Sequence, residues 1–197
     1  MSWVVSEPRV GYALEKRRMT ADEFLACLKP VLPTGLELLW AAEAPLVGSN
    51  LTHRIVATAY EVPLERATVE NGSGPLEAMV TAFLALDRVM VEGWSKNGPK
   101  ARDVREGVLS LMIHPEGAER ARLRFVLREV PGASARPRDL LRGLLHLEAR
   151  TVQGLKLLKL DSLQLVGEDL VSISGDPLTG GALPVVSRPD PIEASAP

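Results

Sequence analysis

The sequence predicts an α+β protein, and three observations carry that expectation. "GVLSLMI" and "ARLRFVLREV" show the two-residue alternation of half-buried strands. "TADEFLACLKPVL" and the segment from Pro75 to Val91 instead repeat apolar residues at helical period. Finally, 46% apolar residues in a chain of 197 are enough to bury a core around such elements.

The first element is "RVGYALE", where Val10, Tyr12 and Leu14 alternate with smaller or polar neighbours as in a strand. A helix follows, because Thr20 and Glu23 have capping-box spacing and Phe24, Cys27, Leu28 and Val31 recur at 3.6-residue period; Pro30 and Pro33 limit its end. "GLELLWAA" is expected to be a strand. A second set of elements begins with "THRIVATAYEVPL", a strand candidate rich in β-branched residues and closed by Pro63. "ERATVENGSG" has loop composition and leads into the helix from Pro75 to about Val91, with Leu76, Met79, Val80, Phe83 and Met90 as its apolar stripe. "GWSKNGPKARDVREG" is then a basic connection into the two alternating strands, which are joined by the turn "HPEGAER". A helix in "RPRDLLRGLLHL" and a strand in "LKLLKLDSLQL" complete the order.

From residue 51 this spells strand, helix, strand, strand, helix, strand, the ferredoxin-like βαββαβ order. The earlier elements spell a partial βαβ unit. The expected organisation is a partial ferredoxin-like half over residues 1–50, a ferredoxin-like domain over 51–168 and a disordered, flexible C-terminal tail over 169–197, where Pro, Gly, Ser and Ala dominate.

The net charge of −2 excludes a chain that is basic throughout. Its charge is uneven, however: Trp94 to Arg142 holds eleven basic residues against six acidic ones. One cysteine cannot form an internal disulfide, no secretory signal is visible and no apolar run approaches the ~20 residues that span a bilayer, so the expectation is cytoplasmic with no membrane partner.

The sequence offers little to a catalytic reading. Cys27 falls on the apolar face of the first helix, as a small hydrophobe would. His53, His114 and His146 are isolated, His114 opening a turn and His146 near a helix C-terminus, so no metal ligand set is expected. "NGSGP" and "LTGGALP" lack the Lys-Ser/Thr ending of a phosphate loop, and Ser110 lacks a nucleophile-elbow context. Neither autonomous catalysis nor a cofactor is expected.

Binding has more support. Alternation puts Leu123, Phe125 and Leu127 on one strand face and Arg122, Arg124 and Arg128 on the other, an open sheet face suited to phosphate. Glu119, Glu129 and Glu106 could balance those charges within a solvated surface. Lys96, Lys100, Arg102 and Arg105 extend the basic region, and Arg136 stands at a helix cap position where Ser, Thr, Asp or Asn is usual. Aromatics are only 4% of the chain, which disfavours stacking on unpaired bases and leaves shape-directed contact with structured RNA.

Three stretches, "MTADEFLACLKPVLPTGLELLWAAEAP", "KNGPKARDVREGVLSLMI" and "GASARPRDLLRGLL", together resemble the radical SAM-linked domain family, found beside or fused to B12-binding radical SAM proteins in bacteria. The landmarks are Leu32-Pro33-Thr34-Gly35-Leu36, Asp103-Val104-Arg105 and Gly132 to Pro137. The family's usual N-terminal segment, with its Ser-His-Leu-Asp motif, has no counterpart here. The resemblance implies a non-catalytic accessory module that binds RNA or docks a radical SAM RNA-modifying partner. The alternative is a protein–protein interaction or homodimerisation domain without nucleic acid.

Overall fold

The computed structural model describes residues 19–38, 41, 54–70, 74–95, 98–129, 135–167 and 169–173. The first helix, α1 (Ala21–Leu28), begins with the expected capping box: the Glu23 backbone N–H donates to the Thr20 hydroxyl at 3.2 Å, and the Thr20 N–H donates to the Glu23 carboxylate at 2.9 Å. Its packing differs from the expectation. No residue of α1 is buried, and Cys27 is exposed rather than set in a core.

The strand expected in "GLELLWAA" is not formed by its described residues Gly35–Leu38 and Ala41. A tight turn occupies its start, with the Leu36 N–H donating to the Pro33 carbonyl at 3.1 Å and Gly35 at φ 93°, a conformation only glycine adopts without strain. The strand expected at Arg9–Glu15 lies outside the described residues.

Strand β1 (Ala57–Glu65) runs through Pro63 instead of ending there. It pairs with β5 along its whole length but with β6 only over Ala57–Glu61, so no ladder on the β6 side requires the N–H that Pro63 lacks. The following segment, expected to be loop throughout, contains the short helix α2 (Arg66–Val69). Glu70 then takes the place of an N-cap for α3 (Leu76–Ala85), accepting the Leu76 N–H at 2.9 Å where Pro75 has no side-chain acceptor. Arg66 ties both helices together through Glu70 and Glu77.

Helix α3 stops at Ala85, six residues short of the expectation. Beyond it Val89 and Val91 turn inward while Arg88, Met90 and Glu92 are exposed, the alternation of a strand. The basic stretch expected to be a connection is a hairpin of β2 (Met90–Ser95) and β3 (Gly98–Asp103). Strands β4 (Val108–Glu116) and β5 (Arg120–Arg128) follow as expected, with a shorter turn at Gly117–Glu119. His114 therefore lies within β4 and does not open a turn.

Helix α4 (Pro137–Leu145) starts at Pro137 and buries Leu140, Leu141, Leu144 and Leu145. A short helix α5 (Ala149–Gly154), absent from the sequence expectation, leads to β6 (Leu158–Val166). The last strand, β7 (Asp169–Ser172), pairs with β6, so the first residues assigned to a flexible tail are sheet.

The main sheet has the order β4-β5-β1-β6-β7, every neighbour antiparallel. The order strand, helix, strand, strand, helix, strand is present in the chain, with a hairpin inserted after α3. The main core lies between one sheet face and the helices: Leu123, Phe125 and Leu127 meet Val62 and Leu64 on β1, Phe83 on α3 and the leucines of α4. Tyr60 stacks on Phe125 with ring centroids 5.5 Å apart. Each such fully buried side chain contributes about 1.5–3 kcal/mol by leaving water. A smaller cluster of Ala57, Ala59, Val126 and Leu163 lies on the opposite face.

Candidate binding surface

Alternation in β5 places Arg122, Arg124 and Arg128 on the sheet face opposite the helices, as expected. The carboxylates that meet them are different. Register sets Glu61 of β1 opposite Arg124, and the Arg124 Nε donates to its carboxylate at 2.6 Å. Arg122 reaches the other Glu61 oxygen at 3.4 Å and also pairs with Glu116 of β4. Hydrogen bonding to Glu116, with further support from Glu61, raises the Arg122 pKa above its already high range.

Glu61 is only 4% exposed, so its charge depends on these guanidiniums. Glu129, one of the expected balancing residues, instead accepts the Thr58 hydroxyl at 2.8 Å. Arg128 is half-buried and its Nε has no hydrogen-bond partner. His114, opposite Arg122 in the β4–β5 register, likewise has a buried Nε2 without one.

Sequence reasoning missed Glu61 because pairing across 61 residues leaves no local signal. One cue existed: an acidic residue in the middle of the apolar run "ATAYEVPL" requires a partner if the strand is central.

The Asp103–Arg105 landmark is a structural clip. Asp103 Oδ1 accepts the backbone N–H of Val89 at 3.1 Å and of Arg105 at 3.0 Å, closing the base of the hairpin. The Arg105 guanidinium lies 6.0 Å from the Phe83 ring centroid and donates to the Leu84 carbonyl at 3.3 Å. Arg105 thus fastens the hairpin base to the end of α3, and its half-buried side chain presents little charge to a partner.

Farther along the hairpin, Lys100 is exposed and Arg102 half-buried, and neither side chain makes an ion pair or hydrogen bond among the described residues. Lys96 lies outside the described residues. The hairpin rests on α4 through close contacts. Asp139, only 9% exposed, sits against Gly93, where a Cβ would lie 3.3 Å from its Oδ2. A Cβ at Gly143 would come within 2.9 Å of Val91. The Arg142 guanidinium donates to the Glu92 carbonyl at 2.6 Å.

Arg136 occupies the N-cap of α4, exposed, with no side-chain cap hydrogen bond, and Pro137 follows at the first helical position. Asp139 does not compensate by hydrogen bonding through Oδ2, which is buried and unpartnered.

The arrangement separates Arg122 and Arg124, held by carboxylates, from Lys100 and Arg102, which meet none among the described residues. What it offers chemically is electrostatic contact. Among the described residues no three His, Cys, Asp or Glu side chains converge as a metal site, and no helix is long and apolar enough to cross a membrane.

A family model described as an uncharacterized protein conserved in bacteria (DUF2344) matches residues 10–137, from before α1 to the first residue of α4. No curated protein and no solved structure matches the chain.

Proposed function

We propose, from the premise that the chain belongs to the DUF2344 family of uncharacterized bacterial proteins, that it is a non-catalytic accessory module whose hairpin contacts an acidic partner. The resemblance to radical SAM-linked domains supplies the partner class: structured RNA, or a radical SAM protein that modifies it. One observation carries the choice of surface. Lys100 and Arg102 have no carboxylate partner among the described residues, whereas Arg122 and Arg124 share Glu61. Neutralised arginines attract phosphate weakly, so the hairpin replaces the sheet face as the favoured contact.

The test is binding of a structured RNA at low and moderate salt. A Lys100→Glu/Arg102→Glu protein should lose most of the binding, and the wild type should weaken as salt rises, by about tenfold between 50 and 200 mM for two phosphate contacts, because binding releases condensed counterions. Indifference to both salt and charge reversal would remove the RNA half of the proposal.

The second reading is self-assembly without nucleic acid. It is favoured by the exposed apolar side chains Val31, Leu36, Leu86 and Met90, which are 52–71% exposed.

A further inference from the structure

We draw no further inference here: the strongest candidate, the open groove that α3, α4 and β2 border around Gly143 and His146, carries Glu92 beside Arg142 so that charge selects no occupant, and nothing in the structure shows what fills it.

Discussion

The sheet face and the hairpin carry the same sequence signal, clustered arginine and lysine, and give it opposite physical fates. On the sheet, strand register brings Glu61 within 2.6 Å of Arg124 and 3.4 Å of Arg122, so the charges are consumed internally. On the hairpin, Lys100 and Arg102 stand on a two-stranded ribbon whose neighbours offer them no carboxylate among the described residues. Counting basic residues along a sequence therefore locates charge without showing which charges are available.

The largest expected effect comes from breaking the sheet network. Glu61→Gln should destabilise the protein by about 3 kcal/mol in a denaturant titration, since it removes the buried carboxylate that Arg122 and Arg124 share. An effect below about 0.5 kcal/mol would show that the sheet arginines are as solvent-supported as those of the hairpin.

Next in size is the seam between hairpin and helix. Gly143→Ala should cost about 1–2 kcal/mol, because the new methyl would press within 2.9 Å of Val91, 3.0 Å of Val89 and 3.2 Å of Val104. Alanine's better helix propensity offsets part of that strain. A stabilised variant would mean that the hairpin yields and is less firmly seated than the contacts indicate.

A smaller effect separates buried from exposed pairing. Hydrogen bonding to Arg66 is the main cause that holds the Glu77 carboxyl down at about 2, against an ordinary 4.5. A depressed folded-state pKa gives stability that is present above pH 4.5 and lost as pH falls toward 2. Glu77→Gln should flatten the acid-unfolding profile in that window. An unchanged profile would show that this exposed pair, unlike the buried Glu61 network, contributes nothing to folding.

The smallest stability effect belongs to the hairpin cations. Lys100→Glu/Arg102→Glu should leave the unfolding free energy within about 0.5 kcal/mol of wild type even as it removes binding to an acidic partner. A larger loss of stability would place these residues with the sheet network.

Much of the fold could be read from local pattern. Alternation in β4 and β5, the Thr20–Glu23 capping box and Pro137 at the start of α4 are all encoded within a few residues. The hairpin was not legible, because Gly98 and Pro99 give β3 the composition of a loop and only its pairing with β2 makes it a strand. Cys27 misled for a related reason: helical period fixes which residues share a face, not whether anything covers that face. In the candidate site, the positions of Arg122 and Arg124 followed from alternation. Their engagement by Glu61 depended on non-local register, and the clip role of Arg105 depended on Phe83 and Leu84 of a distant helix.

Asp103 anchors the hairpin base by accepting two backbone amides, and the consequence lies in conformational entropy. Residues on a loose loop must lose backbone freedom when a partner engages them, at about 1–2 kcal/mol each. Lys100 and Arg102 are already ordered by strand pairing and by that anchor, so chiefly side-chain freedom is left to lose. A few cations placed this way can give a weak but geometrically selective grip, preferring a partner whose acidic groups match their fixed spacing.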